Sequence, residues 1–551
     1  MPRPPKRHQL RAAGVAAYAA LINAALAACS SAPPPTTTAR PVAGGTPAAE
    51  TVHAAPLPPI PDVRGPLAIN VIYPKAGSVV TARDSNFIFG SVGSGDATLT
   101  INGYPVKVEA NGAFLAWLPV PDTATARYDL VALRGADTAR YTHGIAFPPR
   151  PSAVDSADSA MARTPFPDSG RYEAIGLISS GTGQSDTDRV LAGRPIPGGT
   201  YKWFLWPGTI LQVTGRAAGG AFWRVRLDSS LDAWVNAADM RQPPGAPLAV
   251  APRHVVTAGR VVSAPGWVDV VLPVGSNSPP PYLVEERDAD LVLTLYGTTA
   301  AADVIQYSTR DSLVRDVTWE PITDDRARFT VHLTKRPYGY LVLWDAAANH
   351  LVLRVRRPPV VDPSKPLAGR VIVVDPGHPP IGATGPTGLW EPVATLAVGQ
   401  VLQQELIARG ATVVMTRTTA DPVALEARPA MARRANGDLL VSIHLNALPD
   451  GMNPYTSHGT GTYFFQPHSV ALARDVQDGM LRHMGLRDRG IFYENFALVR
   501  TTWMPSVLCE GAFLMMPDQE AALRTPEFQR AYALGVADGI EAFFRALGED
   551  R

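Results

Sequence analysis

The sequence predicts a multidomain chain, with N-terminal all-β accessory domains followed by a C-terminal α/β domain. The latter has a mostly parallel sheet covered by helices on both faces. Three observations lead there. At 551 residues the chain is too long for one hydrophobic core. Between 66 and 357 apolar and polar residues alternate in short runs broken by turn signals, the pattern of half-buried antiparallel strands. After 369 the pattern changes to continuous apolar runs of strand length separated by helical periodicities, as expected of strands buried on both sides.

Taken in order, residues 1–29 open with a basic start (Arg3, Lys6, Arg7, Arg11) and an apolar small-residue stretch from Ala12 to Ala28, which reads as a secretory signal. Its end, Leu26-Ala27-Ala28-Cys29, resembles the lipobox of bacterial lipoproteins. That resemblance implies cleavage before Cys29, a lipid on Cys29, and a mature protein anchored outside the cytoplasm to a bacterial membrane. In a host with two membranes the periplasm and the outer membrane are the expected place, and Ser30 is compatible with such sorting. No other run approaches the roughly 20 apolar residues of a membrane-spanning helix. The second of the two cysteines, Cys509, lies in an apolar strand, where a thiol packs as a small hydrophobe. Residues 30–65 are rich in Pro, Thr and Ala and too poor in apolar residues to fold, so they read as a tether of about 3.1 Å per residue.

Three β modules follow. Residues 66–148 (NFIFGSV, ATLTING, VKVEANGAFLAWLPV, YDLVALRG) suggest a β-sandwich and resemble Ig-like accessory domains. A polar linker spans 149–170. Residues 171–245, ending in AFWRVRLDSSLDAWVNAADM, resemble bacterial SH3-like barrels, and the β-rich stretch 246–357 resembles the AMIN-type domains that place enzymes on the cell wall. The Pro-rich piece 358–368 is the hinge into the last domain, 369–551.

In that domain strands are expected at 371–374, 412–415, 439–443, 461–465 and 506–509, and helices near 392–409, 425–436, 469–484 and 526–547. The last helix puts Tyr532, Val536, Ile540, Phe543, Phe544 and Leu547 on one face, with Thr525 and Pro526 as its start signals. Three of the strands end in polar residues. VIVVDPGH (371–378) delivers His378, DLLVSIH (438–444) delivers His444 and SVLCE (506–510) delivers Glu510, while Glu391 stands at the mouth of the first helix. Ligands of open α/β sheets gather at the carboxyl ends of the strands. A lone histidine at a strand end is commonly structural, so the joint pattern carries the assignment.

Two imidazoles and one carboxylate fill three corners of a zinc tetrahedron and leave the fourth open, as in catalytic sites. Such zinc lowers the pKa of water toward about 7 and polarises a carbonyl. A second carboxylate can then move a proton from water to a leaving nitrogen. The residues alone leave open which glutamate is ligand and which is base.

The pieces VIVVDPGH, Glu391, VVMTR (413–417), ALEARPAMARRANGDLLVSIHLNA (424–447), GTGTYFF (459–465), LRDRGIF (486–492) and MPSVLCEGAFLMMPDQE (504–520) resemble, in order and spacing, the zinc-dependent N-acetylmuramoyl-L-alanine amidases of the amidase-3 type. The resemblance implies zinc held by His378, Glu391 and His444, and Glu510 as the catalytic glutamate. The implied substrate is the amide between N-acetylmuramic acid and L-alanine in peptidoglycan, cut in wall turnover or daughter-cell separation. Two departures stand out: Pro379 and Pro380 follow His378 where the family usually has glycines, and Met516 precedes Pro517 where it usually has Asn. Some family members carry a helical insertion that plugs the zinc site. Here only Gln466–His468 separate a strand from the next helix, and 448–459 is too short and too rich in Pro and Gly, so no such plug is expected.

His458, His468 and His483 lack this support, and Arg417, Arg428 and Arg489 read as structural forks. A net charge of +1 argues against nucleic acid as a partner. Two other functions stay open: a zinc peptidase or amidohydrolase cutting another stem-peptide bond, and a non-catalytic wall-binding lipoprotein.

Overall fold

The computed structural model describes residues 57–148, 163–164, 174–177, 191–217, 219–241, 253–308 and 311–549. The signal segment with Cys29, most of the tether and most of the 149–170 linker lie outside the described residues.

The first module is two antiparallel sheets, Asn70–Tyr73, Ser85–Ser91 and Ala113–Pro119 against Thr98–Ile101, Tyr104–Val106, Arg127–Arg134 and Asp137–Gly144. Ile88, Phe114, Leu99, Ile101, Tyr128 and Leu130 close its core. Next comes a sheet holding Ile210–Ala217, Phe222–Asp228 and Leu231–Asn236. The third β region packs a five-stranded sheet on a six-stranded one. Its strand Arg326–Leu333 buries every second side chain, the period-two alternation expected of a strand with one face in the core. The hairpin of Leu191–Gly193 and Trp203–Leu205 extends that six-stranded sheet through Phe204 opposite Tyr282, yet it also keeps to the second module, where Leu191, Trp203 and Leu205 share the core of Leu211, Val213 and Val225 and Arg194 pairs with Trp234.

The C-terminal domain contains β1 (Val371–Pro376), α1 (Glu391–Ala408), β2 (Thr412–Met415), α2 (Ala427–Arg434), β3 (Leu439–Asn446), β4 (Thr460–Phe464), α3 (Val470–Met484), β5 (Asp488–Tyr493), β6 (Ser506–Phe513), α4 (Pro517–Leu523) and α5 (Pro526–Glu549). The sheet order is β2-β1-β3-β6-β4-β5. The first four strands are parallel, β4 pairs antiparallel with β6, and β5 runs parallel to β4. The sheet is therefore mostly parallel, with one antiparallel pairing, between β6 and β4. Parallel neighbours need a long crossover, usually helical. The link from β3 to β4 carries only a four-residue helical turn, Pro454–Ser457.

The two faces also differ from the expected symmetrical cover. One face (Ile372, Val374, Val441, Ile443, Val507, Cys509) is covered by α1, α3 and α5. The helix α5 buries Tyr532, Val536, Ile540 and Phe544 completely, and the hydroxyl of Thr525 caps it by accepting from the amide of Phe528. The other face (Val373, Leu440) has α2 with Ala432, the segment around Leu498 and Met504, and Leu341 and Leu343 of the third β region. Helix α2 and a β module thus share the face where helices alone were expected.

Candidate metal centre

His378 leaves β1 through Gly377 with φ +62, a left-handed backbone uncommon outside glycine and frequent at functional turns. A Cβ at Gly377 would lie 2.4–2.7 Å from the His444 ring, so only glycine lets the two imidazoles approach. Their rings stand 4.8 Å apart, edge to face. Glu391, the first residue of α1, is buried, and its Oε1 lies 3.1 Å from His378 Nε2 and 3.4 Å from His444 Nδ1. Ligand atoms at the corners of a zinc tetrahedron with bonds near 2.0–2.1 Å sit roughly 3.4 Å apart. The three donor atoms lie within 4.8 Å of one another, so the donor set and its spacing fit a zinc ion.

Glu391 is held further by two amides: that of Leu445 donates to its Oε1 at 3.0 Å and that of Ala383 to its Oε2 at 2.8 Å. Burial opposes its charge, but the contacts with His378 and His444 win and hold the carboxyl well below the usual range. Burial lowers the pKa of His444, against the pull of Glu391. Each shift runs in the direction a metal requires of that ligand, toward the carboxylate for Glu391 and toward the neutral imidazole for His444.

Beneath the ligands lies a buried polar layer. Asp375 on β1 accepts from Arg428 Nη1 at 2.8 Å, from Ser442 Oγ at 2.6 Å and from Thr416 Oγ1. Arg428 also donates to the His378 carbonyl at 2.8 Å, and Arg417 donates to the carbonyls of Pro376, Gly377 and Pro392. These arginines act as the structural forks their sequence context implies, clamping the turn that presents His378. Glu520 on α4 does the same for the loop before Glu391. It is fully buried and accepts from the amides of Thr387 at 2.8 Å and Leu389 at 2.9 Å, under Gly385, whose missing Cβ leaves room for the carboxylate. Sequence reasoning missed this role, although Glu520 ends the segment MPSVLCEGAFLMMPDQE.

Glu510 lies directly opposite His444 in the β3–β6 register. The Tyr532 ring fills the space over Gly511, and its hydroxyl accepts from the Gly511 amide at 3.0 Å and reaches the carbonyls of Cys509 and His444, tying the two strands together. Burial pushes the Glu510 carboxyl well up, the Glu391 charge adds to this, and Arg489 partly offsets it. Glu510 Oε2 has no hydrogen-bond partner, and Arg489, left outside the site by the sequence, is close enough to act on its charge. Burial and the Glu510 charge push the Cys509 thiol up, away from nucleophilic use. His458, His468 and His483 stay outside the cluster, engaged with the Pro454 carbonyl, Glu286 and Asp538 respectively.

A family model described as N-acetylmuramoyl-L-alanine amidase matches residues 372–542. The uncharacterised Bacillus subtilis protein YqiI is 31% identical over 192 residues, 34% of this chain and 90% of YqiI. The N-acetylmuramoyl-L-alanine amidase LytC of Bacillus subtilis is 32% identical over 33% of this chain and 36% of its own length. The probable cell wall amidase LytH of Staphylococcus aureus is 33% identical over 33% of this chain and 60% of its own. The chain thus spans nearly all of YqiI but only part of LytC and LytH. With the zinc-type donor set and these relatives together, the chain belongs, through its C-terminal domain, to the N-acetylmuramoyl-L-alanine amidases of the amidase-3 type.

Proposed function

We propose that the chain hydrolyses the amide between the lactyl group of N-acetylmuramic acid and the L-alanine of the peptidoglycan stem, with zinc on His378, Glu391 and His444. The observation that carries this is the juxtaposition of a three-donor cluster with Glu510, one strand over and in register with His444. When bound, zinc supplies Lewis acidity toward water and toward the carbonyl oxygen of the substrate. The protein's own work is proton transfer. Glu510, raised by burial, is a better base than a solvated carboxylate; it takes the proton of the attacking water as the carbon–oxygen bond forms. It then hands that proton to the L-alanine nitrogen as the carbon–nitrogen bond breaks.

In this reading Cys29 carries the lipid that holds the protein outside the cytoplasm, 30–65 is the tether, and the β modules at 66–148, 171–245 and 246–357 stand between the membrane and the enzyme. Among the described residues no helix is long and apolar enough to cross a membrane.

The test is digestion of purified peptidoglycan by the protein from Ser30 onward, with chelator or added zinc, and products identified by mass. Free stem peptides beginning with L-alanine, released only with metal, are expected. Glu510→Gln should keep its zinc and lose about a hundred- to ten-thousandfold in rate, whereas His378→Ala should lose the metal. Fragments cut at another stem bond would replace this reading with a peptidase. Wall binding without hydrolysis at any zinc level would replace it with a binding protein.

A further inference from the structure

The first β module touches the α/β domain where the chemistry is. Two segments leave the site on that side: Leu448–Gly459, which follows the strand bearing His444, and Phe513–Met516, which follows Glu510. Asp450 sits in the first. Its Oδ1 accepts from Tyr73 Oη at 2.5 Å and Asn86 Nδ2 at 2.9 Å, and its Oδ2 from the Thr81 amide at 2.8 Å and Thr81 Oγ1 at 3.3 Å. Asn86 answers by accepting from the Gly451 amide at 3.0 Å, and Tyr455 Oη donates to the Leu115 carbonyl at 2.6 Å. Against the second segment Phe87, Phe89 and Leu115 form one buried apolar patch with Leu448, Phe513, Met515 and Met516.

A carboxylate that is partly withdrawn from water is held best where donors replace the water it loses. All four donors to Asp450 belong to the first module. The same docking accounts for Met516, where the resembling enzymes usually have Asn: the side chain is buried in the apolar patch, where an amide would lose its water without a partner. Both features fit a module that stays in place.

We propose that the first β module is a working wall of the catalytic unit rather than a separate wall-binding appendage, and that Asp450 is a positioning residue for hydrolysis. By latching Asp450 and covering Phe513–Met516, the module fixes the two chain segments that run on from His444 and Glu510. Small misplacements of reacting groups cost rate out of proportion to their size. The proposal rests on the amidase reading and adds to it a structural requirement supplied from outside the α/β domain.

The test uses the chain from Ser30 and two substrates, intact sacculi and a soluble muropeptide that needs no wall anchoring. Asp450→Ala should lower kcat about ten- to a hundredfold on both, with KM nearly unchanged and one zinc per chain retained. Asp450→Asn, which keeps an acceptor oxygen, should recover part of the rate. Asn86→Ala, acting from the module side, should repeat the kcat loss, and it serves if Asp450→Ala fails to fold. Wild-type kcat on the soluble muropeptide in both folded Ala variants would overturn the proposal, and a loss confined to sacculi would make the module a targeting device. A wild-type protein inactive on both substrates would instead overturn the amidase reading.

Discussion

The α/β domain is gripped at both ends of its sheet, and the two grips are built differently. At the foot of the strands the third β region inserts a buried arginine: Arg356 donates to the carbonyls of Gly437 at 2.7 Å and Trp503 at 3.3 Å and pairs with Asp438 at 3.3 Å. Its guanidinium lies over the Trp503 ring at 4.9 Å, and Tyr338 Oη donates to the Asp438 carbonyl at 2.6 Å. Gly437 and Asp438 precede β3, and Trp503 precedes β6, so this grip holds the strands where they begin. The first module grips the other end, where the strands finish and the ligands emerge, through Asp450 and an apolar patch. The first contact secures the sheet; the second shapes the site. A module's distance from the site along the chain says little about its distance from the chemistry.

The sharpest way to separate the two is Arg356→Ala. It removes one of the two arginines beside Asp438, leaving Arg370 and the Val371 amide, and strands two buried carbonyls, each at a cost of about 1–3 kcal/mol. Thermal unfolding of the full chain should shift down markedly, while kcat and KM per folded molecule stay at wild-type values. If Arg356→Ala lowered kcat as Asp450→Ala is expected to, the foot and the rim would be one mechanical unit and the contrast would fail.

The sequence made the ends of the parallel strands legible because strands buried on both faces read as unbroken apolar runs. The residue that stops each run is then conspicuous, and this is how His378, His444 and Glu510 announced themselves. The last helix was legible through its 3.6-residue periodicity. The strand β5 was not read from periodicity: it is an edge strand, half exposed throughout, with Gly490 at φ +88 inside it. Nor was α4, at seven residues too short to show a period. The direction of β4 depends on its pairing with β6, which local pattern does not encode. Asp450 lies in an Asp-Gly pair that reads locally as a solvated turn; its meaning is entirely tertiary, supplied by Tyr73, Thr81 and Asn86 more than 360 positions earlier. The hairpin at 191–205 shows the same limit, since a strand's sequence fixes its faces but not which sheet adopts it.

Within the rim, a further contrast separates what holds zinc from what the module holds. The loop before Glu391 is braced from inside the α/β domain by Glu520, which accepts from two amides. Glu520→Gln puts N–H groups at one of the two oxygen positions, so the short bond from the Thr387 amide to Oε2 is lost and both amides must share the remaining oxygen. Supporting residues of this kind typically contribute 10–100-fold to metal affinity. Competition against a chromophoric chelator should show zinc binding weakened by about that factor, with the Asp450 contacts and the foot intact. Unchanged zinc affinity would mean that His378 and His444 hold the metal without help from the Glu391 loop.

The smallest expected effect tests whether the rim latch is centred on Asp450. Tyr455 also reaches the first module, through its hydroxyl to the Leu115 carbonyl, but its side chain is half exposed, at 50%. Water can replace a bond at such a position, so Tyr455→Phe should cost only about 0.5–1 kcal/mol. The Asp450 carboxylate gathers four donors at once, and removing it leaves the part-buried Tyr73 hydroxyl and Asn86 amide without their acceptor. Tyr455→Phe should therefore lower the melting temperature slightly and leave kcat, KM and zinc content alone. A kcat loss matching that of Asp450→Ala would show that the whole 448–459 segment, rather than one carboxylate, transmits the module's hold to His444.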